Sequence, residues 1–217
     1  DPSAAQLGGA WARQCEGDCM TRGTKGLVFG VGVNDADYQV SHQIAGKNVL
    51  CPAYSTWNSM LRRAYSQVYQ ARYPAYIGVT VCDEWHHFMS FKKWFDENYV
   101  DGYHLDKDIM FGAREYSPSN CIFVPRWLNN FITDSKGSRG TYPIGVYFDT
   151  SSGSFRAKCN NPVTKKVESI GRFDSPDKAH AAWKRRKFEH LSVMSPEIEK
   201  IKPGLTLCVE RAVGRMV

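Results

Sequence analysis

Between Ser55 and Tyr73 the apolar residues Trp57, Met60, Leu61, Ala64, Tyr65, Val68 and Tyr69 recur at steps of three and four, with Arg62, Arg63, Gln67 and Gln70 between them. That period places one apolar stripe along an amphipathic helix. A second stripe, Trp85, Phe88, Met89, Phe91, Trp94 and Phe95, follows Asp83, a residue suited to cap its start. At helical spacing this aromatic density reads as core rather than as a platform for stacked bases. Upstream, GLVFGVGV lacks the GxxxxGK[ST] pattern of a phosphate loop, and its glycines interrupt a short strand. A turn-rich stretch, YHLDKDIMFGAREYSPSN, leads to a short helical run near residues 126–132. Beyond residue 143 the period changes: 144–148, 154–159 and 166–170 read as strands between Gly, Ser, Asn and Pro turns. Ser175-Pro176-Asp177 then opens a helix to about Leu191, with Ala179, Ala182, Trp183 and the stem of Arg186 on one side. In the last stretch only Leu205–Val209 offers an apolar, strand-like piece.

These textures predict an α+β protein in five segments: a leader or appended arm (1–19), a first domain (20–133), the linker DSKGSRGTYP (134–143), a second domain (144–192) and a tail (193–217). Composition narrows the class. With 42% hydrophobic and 13% aromatic residues in 217, disordered and collagen-like chains are excluded. The 28 Lys and Arg outweigh the 22 Asp and Glu for a net charge of +6, but unevenly. From Lys136 to His190 there are twelve basic and five acidic residues, a balance of +7, so the rest of the chain stands at −1. No stretch approaches the roughly 18 apolar residues of a membrane span, and the N-terminus lacks the basic-then-apolar order of a signal peptide. The expectation is an intracellular protein with no membrane partner. Seven cysteines without a CxxC pair fit reduced thiols. Cys51, Cys82 and Cys121, with Cys15 or Cys19, match no zinc-finger or ribbon spacing, so structural zinc is not favoured.

Most of the chemistry lies in His104-Leu105-Asp106-Lys107-Asp108, Tyr116-Ser117-Pro118-Ser119-Asn120-Cys121 and Asn129-Asn130. A single-metal nuclease needs a hard oxygen ligand from a strand and another from a neighbouring helix, and Asp106 and Asn129 suit those places. This stretch resembles the phage-type HNH homing endonucleases of the ββα-metal group. The resemblance implies that Asp106 and Asn129 bind a divalent ion, Mg²⁺ or Mn²⁺, and that Asn120 of YSPSN braces the two strands. The position of the water-activating His holds Lys107, which is protonated at neutral pH and a poor base. His104 shares a strand face with Asp106 and is the substitute base. Taken singly, Asp106 and Asp108 also read as turn carboxylates, Asn120 as a turn cap and Asn129 as a helix cap. The neighbouring His86-His87 pair cannot ligate one ion from one helix, because adjacent residues face different directions.

Residues 145–190 resemble the AP2-type DNA-binding domain at Gly145-Val146, Gly153, Phe155, Ala157, Ile170-Gly171, Phe173, Ser175, Ala179 and Ala182. That implies a three-stranded antiparallel sheet packed on one helix, with the outer sheet face in the major groove of double-stranded DNA. Gly153 and Gly171 would supply turn conformations, while Val146, Phe155, Phe173 and Trp183 pack sheet onto helix. Alternation puts Tyr147, Arg156, Lys158 and Lys166 on the outer face, with Lys165 beside them and Arg172 at its edge. Arg156 suits a base contact and the lysines suit phosphate. The run Lys184-Arg185-Arg186-Lys187 reads equally as a solvated helix face or as phosphate support. Together the two resemblances imply a metal-dependent endonuclease, without a small-molecule cofactor, that cuts duplex DNA inside a host bacterium. The alternative is a non-catalytic DNA-binding protein whose centre has degenerated at Lys107. A domain that inhibits or recruits a nucleic-acid enzyme has no specific feature in its favour.

Overall fold

A computed structural model of the chain describes residues 26–44, 46–134 and 140–217. The expected arm and the centre of the expected linker lie outside them. The chain divides into two compact units, Asp1–Asp108 with Ala113–Phe123, and Ile109–Gly112 with Val124–Val217. The division thus falls ahead of residues 126–132, which were expected in the first domain.

In the first unit, β1 (Ser41–Ile44) and β2 (Lys47–Leu50) form an antiparallel hairpin. The helix expected over 55–73 is two helices, α1 (Pro52–Tyr65) and α2 (Gln67–Arg72). Ser66 breaks it: its backbone is extended, and its hydroxyl accepts the Tyr69 N–H at 3.3 Å, capping α2. A serine that bonds its own backbone competes with helix propagation. The apolar stripe is otherwise as the period requires, with Trp57, Met60 and Leu61 fully buried. Trp57 donates its indole N–H to the Trp85 carbonyl at 2.7 Å, so the core satisfies its polar atom. Asp83 does not cap a helix; it opens a 3₁₀ turn, Asp83–His86, and α3 (Phe88–Asn98) starts after His87. Phe88, Phe91 and Phe95 of α3 are buried with Trp85, each worth about 1.5–3 kcal/mol of removal from water.

GLVFGVGV is a tight turn rather than a strand: Val28 and Gly32 exchange backbone hydrogen bonds of 2.8 and 2.9 Å, and only Val33 bridges to a neighbour, His87. Gly32 passes so close to Leu61 and Trp57 that a Cβ would collide with both. Two short strands, β3 (Thr80–Val81) and β5 (Glu115–Tyr116), pair in parallel. Between them runs β4 (Tyr103–Asp106), which forms a two-stranded sheet with β6 (Ile122–Pro125), whose first two residues belong to this unit.

The second unit holds α4 (Arg126–Ile132) and the antiparallel sheet β7 (Val146–Asp149), β8 (Ser154–Asn160) and β9 (Val167–Phe173), in that order. Ala157 and Cys159 are buried on its inner face, where α5 (Pro176–Ile201) brings Ala179, Ala182 and Trp183. Gly145 has φ +80°, and a Cβ there would run into the Trp183 indole, so the residue before β7 must be glycine. Gly171, by contrast, occupies no turn; it lies within β9 opposite Ala157, beside a register shift. The helix does not stop near Leu191 but continues through Pro196 to Ile201. Pro196 cannot donate to the Ser192 carbonyl, and the Ser195 hydroxyl does so instead at 3.0 Å. The expected strand at 205–209 is helix α6 (Leu205–Gly214), which packs on α5. Leu205, Val209 and Val213 are buried at steps of four, a helical period that five residues alone do not reveal. Among the described residues no helix is long and apolar enough to cross a membrane.

Candidate nucleic-acid interface and metal-binding residues

The outer face of the second-unit sheet is built by register. Tyr147, Arg156 and Arg172 stand opposite one another across the three strands. Side chains alternate, so with Ala157 and Cys159 facing α5, Arg156 and Lys158 face away from it. Lys158 is exposed, and its Nζ lies 4.5 Å from the centre of the Tyr147 ring. Arg172 is exposed, and so are Lys165 and Lys166 in the turn before β9, where the Asn161 side chain accepts the Val163 and Thr164 N–H groups at 2.9 and 3.0 Å. Arg156 is 26% exposed, and its Nε stands 2.7 Å from Oδ2 of Asp149, an ion pair without the alignment of a hydrogen bond. The Ser151 and Ser152 hydroxyls, with Arg156 nearby, hold the Asp149 carboxyl below the usual carboxylate range.

Sequence reasoning named every one of these cations, though Lys166 lies in the turn before β9 and not on the sheet face expected for it, because β9 starts only at Val167, and it did not single out Asp149. The signal lay in the Ser151-Ser152 pair after it, which marks an Asp-led turn. The basic run on α5 separates into four different roles. Arg185 is exposed, Lys184 donates to the Gly214 carbonyl at 3.1 Å, and Arg186 pairs with Glu189 at 3.2 Å and Glu168 at 3.8 Å. Lys187 is buried, its Nζ 3.8 Å from the centre of the Phe131 ring, and burial lowers its pKa to about 8. The inner face is closed by a polar tie: Glu168 accepts from Asn161 at 2.6 Å and faces His190 at 3.2 Å.

In the first unit, Asp106 ends β4, and its Oδ1 accepts the Asp108 N–H at 2.9 Å. Lys107 is 5% exposed; its ammonium donates to Asp108 Oδ1 at 2.5 Å and to the Ala113 carbonyl at 3.2 Å, and it lies 5.6 Å from the Tyr116 ring centre. An ammonium so held donates its protons to the loop and anchors it, which does not suit a base. His104 is exposed on the same strand, two residues before Asp106. Asn120 donates its amide to the Glu115 carbonyl at 3.3 Å, tying its turn to β5. Asn129 is half-buried on α4 and belongs to the second unit, whereas Asp106 belongs to the first. Among the described residues no three His, Cys, Asp or Glu side chains gather as a metal-ligand group. The donor chemistry of Asp106 and Asn129, one carboxylate and one amide oxygen, is that of a hard divalent cation.

His86 and His87 face different partners, Tyr65 Oη at 3.0 Å from one and Asp35 at 3.4 Å from the other. Cys51 and Cys121 are buried free thiols and Cys82 is half-buried. Burial pushes the Cys121 thiol up to about 12, leaving it neutral and unreactive near pH 7. No family model, curated protein or solved structure matches the chain.

Proposed function

We propose that the chain is a metal-dependent DNA endonuclease of the HNH homing type, acting inside the cell and directed to duplex DNA by an AP2-like second unit. The observation that carries this reading is the cationic outer face of the β7–β9 sheet. There Lys158 lies over the Tyr147 ring and Arg156 and Arg172 follow Tyr147 across the three strands, while the opposite face packs on α5. A rigid sheet presenting arginine and lysine at strand spacing suits the major groove, which admits a β-ribbon and offers acceptors to both residue types.

For the nuclease reading the support is chain order: a strand ending at Asp106, a loop containing Asn120, a second strand and then the helix carrying Asn129. In this reading Asp106 would hold Mg²⁺ or Mn²⁺, which would supply the positive charge that a scissile phosphate needs, and Asn129, in the second unit, is the other oxygen donor that the resemblance names. Asn120 fixes the loop through Glu115, His104 accepts the proton of the attacking water, and Lys107 holds the end of β4 in place.

The full chain tests this directly. It should bind duplex DNA with affinity that falls steeply with salt and should nick plasmid DNA with Mg²⁺ or Mn²⁺, with nicking lost in Asp106→Ala and Asn129→Ala. The second reading, a DNA-binding protein with a degenerate centre, draws on the Lys107–Asp108 tether at the position where a base is expected. Salt-dependent binding without nicking by any divalent ion selects it.

A further inference from the structure

We propose that Asp149 is a specificity-determining residue that positions Arg156, so that the guanidinium presents its two Nη groups to one guanine of the target DNA. The inference rests on the reading that this sheet face binds duplex DNA. Asp149 closes β7 and enters the turn to β8. Its Oδ1 accepts the Ser151 N–H at 3.1 Å and the Ser151 hydroxyl at 2.6 Å, so the turn holds the carboxylate from behind. Oδ2 is left to face Arg156 Nε at 2.7 Å. The pair is diagonal on one sheet face, since Tyr147 stands opposite Arg156 and Asp149 follows two residues later.

Three consequences follow from that geometry. An arginine gripped at Nε has less rotamer freedom to lose when DNA arrives. The ion pair lies on the Nε side of the guanidinium, which an end-on contact does not use, leaving the planar Nη1/Nη2 fork that matches guanine O6 and N7. A guanidinium already neutralised by a carboxylate also has little pull on phosphate. Lys158 and Arg172, with no carboxylate partner among the described residues, keep theirs. The face therefore divides its labour, with one buttressed arginine reading a base between cations that seat on the backbone.

The test selects randomised duplexes with the full chain near physiological salt and reads base preference in the bound fraction. Wild type should prefer guanine at one position by about tenfold or more, and Arg156→Lys should abolish that preference. Asp149→Asn keeps an acceptor for Ser151 but removes the charge behind Arg156. It should reduce the guanine preference at that position roughly threefold or more while leaving the protein folded and its affinity for bulk DNA undiminished. Asp149→Glu should restore part of the preference. An unchanged preference in Asp149→Asn, or wild-type binding with no base preference, overturns the proposal and leaves the interface standing. Wild type that fails to bind duplex DNA overturns both.

Discussion

Lys187 gives the sharpest quantitative expectation. It is 7% exposed on α5, its ammonium lies over Phe131, and burial lowers its pKa from 10.5 to about 8. At 1.36 kcal/mol per unit, that depression corresponds to about 3 kcal/mol of native-state cost for keeping the charge. The cation–π contact with Phe131 returns on the order of 1–2 kcal/mol. Lys187→Met, of similar shape and without charge, should therefore stabilise the protein by about 1–2 kcal/mol at pH 6.5, a few degrees in melting temperature. The pH dependence is the stronger test. Because the folded pKa lies below the unfolded one, the unfolded chain binds more protons between pH 8 and 10.5, and wild type gains stability relative to the variant across that window. The advantage of Lys187→Met should be full below pH 8 and shrink steadily as pH rises to 10. Calorimetry of both full-length proteins at pH 6.5, 8 and 9.5 measures the difference, with titrations shared by the two proteins largely cancelling. A variant less stable than wild type at pH 6.5, or an advantage independent of pH, refutes the reasoning.

Gly145→Ala should cost about 2–4 kcal/mol in urea unfolding, because the added Cβ meets Trp183 at a positive φ. Ser195→Ala removes the donor that serves the Ser192 carbonyl beside Pro196 and should lower stability by about 1 kcal/mol, with faster amide exchange confined to the end of α5. Lys158→Ala and Lys166→Ala should each reduce the slope of log affinity against log salt for duplex DNA by about 0.9; an unchanged slope removes that residue from the phosphate contacts. Asp106→Ala should abolish plasmid nicking while leaving affinity for duplex DNA within about twofold.

What the sequence disclosed follows from the range of its signals. The helix start at Ser175 was legible because a Ser-Pro-Asp cap acts within three residues, and the Ser175 hydroxyl does accept the Lys178 N–H at 3.3 Å. The three strands were legible because alternation needs only neighbours, and it also placed Arg156 and Lys158 on the outer face. The break at Ser66, the passage through Pro196 and the helix at Leu205 were not. Each depends on whether a competing local bond forms or on a partner distant in sequence, as when α5 offers the surface that makes α6 a helix. Asp149 was hidden for the same reason. Its partner is seven residues away, and only the turn length fixes the register that brings them together. The candidate metal residues were legible as chemistry, in the hard donors Asp106 and Asn129, while the burial of Lys107 beside Asp108 required the fold.

The concentration of positive charge in the second unit means something different once its pairings are counted. Lys178 is tied to Asp174 at 2.7 Å, Arg186 to Glu189 and Glu168, Lys184 to a helix-end carbonyl, and Lys187 is buried over an aromatic ring. Between residues 140 and 190 this leaves Lys158, Lys165, Lys166, Arg172 and Arg185 exposed without a carboxylate partner. Four of those five belong to the sheet face or the turn that feeds it. A basic run on a helix therefore contributes little of the field a phosphate backbone would meet, and a modest net charge is compatible with a strongly cationic sheet. Because exposed charges act over only about 8 Å at physiological salt, the local count and not the total governs affinity. Removing Arg186 should alter stability more than DNA binding, and removing Lys158 should do the reverse.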